Sequence, residues 1–180
     1  MKFISKLIIL VIVFVVAYLG TVFTYEYYNT PKHKYSKEDV KKIYDKLLAQ
    51  TGQTQDGAVL VLEENPTINA YTDGTKVVIY RGMLDYVQND VELALVLAHE
   101  IAHDMLKHVA YPEFSVDQLT TSVAEANADK MGALYMLKAG YSVCNGRELW
   151  HRFEKTEGNY QGFDHPTYGY RYNELSVGCY

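Results

Sequence analysis

Five consecutive residues, His99-Glu100-Ile101-Ala102-His103, have the types and spacing for metal chemistry. On a helix, positions i and i+4 lie one above the other, so both imidazoles face one side, about one turn apart. That spacing lets two ring nitrogens bind a single zinc ion at ~2.0–2.1 Å each. Glu100 is rotated off the ligand pair, yet stays near enough to take a proton from a water poised to attack a carbonyl. A hydrolytic tetrahedral site needs a third protein ligand and an open position. Glu125 is the candidate, opening the segment Glu125-Ala126-Asn127-Ala128-Asp129 on the next predicted helix. The same spacing rule sets Asp129 beside it, where a carboxylate can accept a hydrogen bond from a ligand imidazole and fix that ring. Two acids so spaced are usually a solvated helix face, and paired histidines are often plain interior residues. Their conjunction, with Ala124, Ala126 and Ala128 permitting close helix approach, favours one Zn2+ per chain on His99, His103 and Glu125.

The elements that must position these residues are legible as a helix, a small sheet, then more helices. Ser36 reads as an N-cap for a helix whose apolar positions are Val40, Ile43, Tyr44, Leu47 and Leu48, ended by Gly52. Val59 to Leu62 reads as a strand, and Ile68 to Tyr71 with Lys76 to Tyr80 as a hairpin around Asp73-Gly74. A short helix starts near Met83. Asn89 or Asp90 caps the helix that carries His99 and His103 and runs to about Val109. From Leu93 to Ala98 that helix is apolar on every face, which predicts a central, buried element. Ser115 and Gln118 form a capping-box pattern for a helix reaching Lys138, with Gly140 as its stop. Two further helices are expected, over Arg147 to Lys155 and after Pro166.

Ahead of this domain, Leu7 to Tyr25 is uncharged and apolar apart from Gly20, Thr21 and Thr24. At ~1.5 Å per residue such a helix covers roughly 28 Å, close to the hydrocarbon thickness of a bilayer. Lys2 and Lys6 precede it, as in a signal peptide or signal anchor, and no small-x-small cleavage site closes it. An uncleaved single-pass anchor is therefore favoured over a cleaved signal. The chain of 180 residues then divides into an anchor (1–25), a tether (26–35) and one catalytic domain (36–180). A net charge of -5 gives no concentrated basic surface for a nucleic-acid backbone, so that partner class is set aside. Lys32, Lys34, Lys37, Lys41 and Lys42 follow the anchor as a solvated helix face or, less simply, a lipid-facing patch. Cys144 and Cys179 lack metal-ligand spacing; they staple the C-terminal tail in an oxidising compartment and stay thiols in a reducing one.

Taken together, these motifs resemble the HtpX-like and CAAX-prenyl-protease-like family of zinc metallopeptidases, within the gluzincin group. That family joins HExxH to ExxAD on consecutive helices. Asn69-Ala70-Tyr71 followed by Lys76 to Gly82 is similar to its NAF stretch and glycine-ended edge strand. Asp90 to Leu97 is similar to its approach to the zinc helix, and His165-Pro166 with Arg171 to its late HP…R motif. The likeness runs over about residues 59–171. It implies an α+β fold, mainly helical, zincin-like, with a small sheet, preceded here by one N-terminal transmembrane helix where HtpX relatives carry several. It implies that Glu100 is the catalytic base and that His165 sits near the site as an oxyanion or resting-state group, the other reading being a helix-start histidine before Pro166. Arg171 is implied as a support behind the ligands, or equally as a structural ion-pair partner.

The function so implied is zinc-dependent endopeptidase action on unfolded or misassembled membrane and envelope proteins. An extended substrate would add to the sheet edge near Lys76 to Tyr80. The competing class is a zinc-containing chaperone or assembly factor with latent or no proteolysis. The short basic n-region and the family's exported members place the domain on the extracytoplasmic, periplasmic side, against the lysines that follow the anchor. His108 lies one residue short of a metzincin third ligand and reads as structural. His33 and His151 read as surface residues.

Overall fold

A computed structural model describes residues 11–22, 34–52, 58–108, 118–158, 166–176 and 179. The chain forms two units, Met1–His33 and Lys34–Tyr180. In the first, residues 11–22 form a helix, α1, whose side chains are exposed, among them Val13, Phe14 and Val16. Among the described residues no helix is long and apolar enough to cross a membrane. The span expected over residues 7–25 extends beyond α1 at both ends, into residues outside the described set.

The second unit opens with α2 (Lys37–Leu48), capped as expected. The Ser36 hydroxyl accepts from the Asp39 amide at 3.2 Å, and the Asp39 carboxylate accepts from the Ser36 amide at 3.0 Å. Its apolar face buries Val40, Ile43, Tyr44 and Leu47. Three strands follow, β1 (Val59–Glu63), β2 (Ala70–Thr72) and β3 (Lys76–Tyr80). β2 and β3 pair antiparallel with Tyr71 opposite Val78, the hairpin the Asp73-Gly74 turn predicts. Asp73 shapes that turn by accepting from the Thr75 and Lys76 amides at 2.9 and 3.0 Å.

The sheet order is β1-β3-β2, because β1 returns parallel to β3 with Val61 opposite Val78. This corrects the expectation of a free edge at Lys76 to Tyr80: β3 is hydrogen-bonded on both sides. The cause is visible in its side chains. Val77, Val78 and Ile79 are all fully buried, a continuous apolar run that only a strand covered on both faces can satisfy.

Helix α3 (Arg81–Tyr86) leaves β3 directly. A Cβ on Gly82 would lie 2.1 Å from the Pro66 carbonyl oxygen, so glycine is required there. Next comes α4 (Asp90–Met105), whose first amides, Val91 and Glu92, are both capped at 3.0 Å by the Asn89 side chain. Leu93 through Ala98 are buried on every face, as their pattern predicts, since α4 packs against α2, β2 and α5 (Gln118–Lys138). It ends earlier than the expected Val109. Lys107 turns to φ 56°, its amide bonds the Asp104 carbonyl at 3.1 Å, and the His108 amide bonds the His103 carbonyl at 3.0 Å. This is a Schellman stop built on lysine rather than glycine.

The chain closes with α6 (Val143–Gly146), α7 (Glu148–Glu157) and α8 (Tyr168–Glu174). Cys144 on α6 and Cys179 form a disulfide with Cα atoms 5.5 Å apart, the first of the two readings of these cysteines. Arg147 packs over the Tyr172 ring at 4.2 Å and bonds the Ser176 hydroxyl, fixing the end of α8 beside the bridge. The second unit is thus mainly helical with one small sheet, the expected α+β plan.

Candidate metal centre

The centre is assembled where α4 and α5 cross. His99 and His103 project from one side of α4, with ring centroids 4.5 Å apart and planes at 79°. Glu125 projects from α5 towards both. The approach is close because Gly132 lies against α4: a Cβ there would be 3.0 Å from the Ala98 carbonyl and 3.1 Å from the His99 amide nitrogen. Sequence reasoning credited the alanines around Glu125 and overlooked Gly132, although a glycine within a long helix is itself a signal of close packing.

Three short distances define the triangle. His99 Nε2 and His103 Nε2 are 3.0 Å apart. His99 Nε2 lies 3.3 Å from one Glu125 oxygen and His103 Nε2 lies 3.1 Å from the other. Four-coordinate zinc with ligand bonds of ~2.0–2.1 Å separates its donors by about 3.3 Å, so the triangle has the size and the donor chemistry for that ion. His99, His103 and Glu125 are the group among the described residues that could hold a metal.

Behind His99 lies a buried ionic layer. Its Nδ1 is 2.9 Å from Asp129 Oδ1, which also accepts from Arg171 Nη2 at 2.6 Å. Asp129 Oδ2 accepts from Arg171 Nε at 2.8 Å, making the pair bidentate. With Nδ1–H donating to Asp129, Nε2 is turned towards Glu125 and His103, the orientation a metal ligand needs once its proton is displaced. The 3.0 Å approach of Arg171 Nη2 to His99 Nδ1 then reflects two donors sharing one carboxylate oxygen. Arg171 itself sits on the Trp150 ring, its guanidinium carbon 3.7 Å from the centroid. Thr167 caps α8 by accepting from the Tyr170 amide at 3.2 Å, which sets the helix that delivers Arg171. Trp150 was not singled out in the sequence, where a lone tryptophan carries no spacing signal.

The electrostatics follow from this packing. Burial and the Arg171 charge push the His99 pKa down, but hydrogen bonds to Asp129 and Glu125 outweigh them and raise it to about 9. Burial works against Asp129 ionisation, yet Arg171 and then His99 hold its carboxyl well below the usual range. Glu100 is buried beside His99 on α4, and its charge joins those of Asp129 and Glu125 in raising the Arg171 pKa against the effect of burial.

The remaining sequence candidates separate cleanly. His108 is turned back by the Schellman stop so that its ring lies 5.3 Å from that of His103, tilted at 72°. Burial first, then His103, lowers its pKa. His151 is away from the centre, against Tyr172 at 5.2 Å. His165 and His33 lie outside the described residues. A second, partly buried pair escaped sequence reasoning: Arg152 donates to Glu92 at 2.8 and 2.5 Å, tying α7 to the start of α4.

A helix bearing HExxH crossed closely by one bearing a buried glutamate defines the plan of a metallopeptidase. The sequence profile of Peptidase family M48 matches residues 34–124, and the chain belongs to that family. The match stops one residue short of Glu125. Over 132 residues the chain is 27% identical to the mitochondrial metalloendopeptidase OMA1 of Arabidopsis thaliana, covering 58% of this chain and 27% of that protein. Over 149 residues it is 26% identical to the mitochondrial metalloendopeptidase OMA1 of Schizosaccharomyces pombe (strain 972 / ATCC 24843), covering 66% of this chain and 44% of the relative. The chain thus spans less than half the length of either relative. These matches support the family as a whole rather than its HtpX-like or CAAX-prenyl-protease-like branch.

Proposed function

We propose that this protein is a zinc-dependent endopeptidase in which His99, His103 and Glu125 hold the ion and Glu100 is the general base. The observation that carries the reading is the triangle of 3.0, 3.1 and 3.3 Å between two imidazole nitrogens and one carboxylate. Bound zinc supplies Lewis acidity to a carbonyl oxygen and makes an attacking water more acidic. Glu100 takes that water's proton and later passes it to the leaving amine. Asp129 and Arg171 hold His99 in the ligating tautomer and do not touch the substrate. His165 keeps its proposed place as an oxyanion or resting-state group.

β2 replaces β3 as the edge that receives an extended substrate, since of the two outer strands, β1 and β2, it is β2 that packs along α4. Main-chain bonds to a strand edge bind unfolded segments with little sequence preference, which suits quality control of misassembled membrane and envelope proteins. The uncharged run over residues 7–25 is the membrane anchor in this reading. The Cys144–Cys179 bridge supports an oxidising, extracytoplasmic setting for the domain. Below the family level, the HtpX-like placement rests on Asn69-Ala70-Tyr71 and on His165-Pro166 with Arg171.

The deciding experiment measures zinc content and casein cleavage for the wild type and Glu100→Gln. The wild type cleaves, chelator stops it, and the variant keeps its zinc but loses activity by about a thousandfold or more. A Glu100→Gln protein that still cleaves casein refutes the role of Glu100. A wild type that loads zinc and never cleaves points to the chaperone or assembly-factor class.

A further inference from the structure

We propose that His108 is a positioning residue for the ligand His103: its imidazole packs on the His103 ring and fixes the direction in which Nε2 points. The role rests on the metal-site reading proposed above. That site gives its two histidines unequal support. His99 is held from behind by Asp129, 2.9 Å from its Nδ1, and by the Arg171 pair. Among the described residues, the polar and ring contacts of His103 are with its triangle partners His99 and Glu125 and with the ring of His108. An imidazole without such support turns about its Cβ–Cγ bond, and turning carries Nε2 away from the ion.

The three histidines form a run of crossed rings. The His99 and His103 centroids stand 4.5 Å apart at 79°, and those of His103 and His108 stand 5.3 Å apart at 72°. Both separations fall in the range of about 4.5–7 Å over which rings attract edge to face. A neighbour set nearly at right angles also resists rotation, because turning either ring drives an edge into a face.

The backbone is bent to make this contact. On a continued helix His108 would stand about 140° round the axis from His103, on a different face. The left-handed turn at Lys107, φ 56°, brings it back. That conformation is unfavourable for a residue with a side chain, and helices that stop this way usually place glycine there. Strain of this kind persists where the surrounding structure requires it. Nor does His108 serve the fold through its Nδ1, which is buried with no hydrogen-bond partner. What the turn secures is the ring contact with His103.

The test uses the full chain stripped of metal, titrated with zinc against a chelating dye and with Co2+ followed by its visible absorption. His108→Ala should weaken zinc binding by about tenfold, the loss expected when a ligand histidine loses its outer support, and should shift the Co2+ bands. His108→Phe keeps a ring against His103 and should bind zinc within about threefold of the wild type. Metal-free melting curves of both variants should stay close to that of the wild type, which separates a lost support from a damaged fold. Unchanged zinc affinity and Co2+ bands in His108→Ala overturn the role of His108 and leave the metal site standing. So does a tenfold loss, of the order expected for lost outer support, in a folded His108→Phe, which decides alone if the alanine variant does not fold. A wild type that binds zinc no better than His103→Ala does sinks the metal site and this role together.

Discussion

Gly132 meets His99 at a spacing tight for a methyl group: a Cβ on the glycine would stand 3.1 Å from the His99 amide nitrogen, and 3.0 Å from the preceding carbonyl of Ala98. The obstructing atoms are backbone, so they cannot swing aside. Helix α5 must instead shift from α4 by a few tenths of an ångström, and Glu125 moves with it.

Gly132→Ala is therefore expected to weaken zinc binding by about tenfold, the effect of a small displacement of one of three ligands. Alanine favours a helix interior over glycine by about 1 kcal/mol, which offsets part of the packing loss. Metal affinity should then fall more than thermal stability does. Competition with a chelating dye, alongside a melting curve, separates the two. Unchanged zinc affinity would show that the close crossing is not what positions Glu125.

Arg171→Met removes one partner of a buried bidentate pair and leaves the Asp129 carboxylate with His99 as its charged partner. Such a loss costs about 3–5 kcal/mol, whereas removing both charges costs much less. The double variant Asp129→Leu, Arg171→Met should recover most of the stability in urea unfolding, yet bind zinc poorly because His99 has lost the acceptor that sets its tautomer. Arg171→Lys should not rescue, since an ammonium cannot make the two-pronged contact seen with Asp129.

In the metal-free protein His99 keeps a proton up to about pH 9, so zinc must displace that proton to bind. Apparent affinity should rise by about tenfold per pH unit through neutrality and level off as pH 9 is passed. Calorimetry at pH 7 in two buffers of different ionisation enthalpy should report about one proton released. The stability signs are opposite for the two partners. His99, raised in the folded state, stabilises the metal-free fold fully below its ordinary 6.5 and loses that contribution as pH climbs through about 9. Asp129, depressed in the folded state, stabilises above its ordinary 3.8 and loses its contribution on acidification below that value.

Cys144→Ser with Cys179→Ser opens a cross-link between residues 35 apart in sequence. Loop-closure entropy puts the loss at about 4 kcal/mol. Reductant should lower the melting temperature of the wild type and leave that of the double serine variant unchanged.

What could be read from the sequence was local. His99 and His103 share a helix face because of a four-residue spacing, and the burial of α4 follows from six consecutive apolar residues, Leu93 to Ala98. Ser36 and Asn89 announced their caps by type. The misses were non-local or rare in kind. Nothing around Val59 to Glu63 says that β1 will lie beside β3 and make it the middle strand. The stop at Lys107 uses a left-handed lysine, a conformation that costs such a residue about 1–2 kcal/mol and that no pattern of types foretells. The Arg171 guanidinium was placed near the ligands by resemblance alone; its platform on Trp150 needs the packing of α7 against α8 to be seen.

The bridge between Cys144 and Cys179 encloses the whole stretch that contains both Trp150 and Arg171. A single backbone cut anywhere inside that ring leaves the guanidinium-bearing fragment covalently attached to the body of the protein. In the proposed peptidase, a cut made beside the protein's own surface would in this way leave the support of the proposed ligand His99 in place.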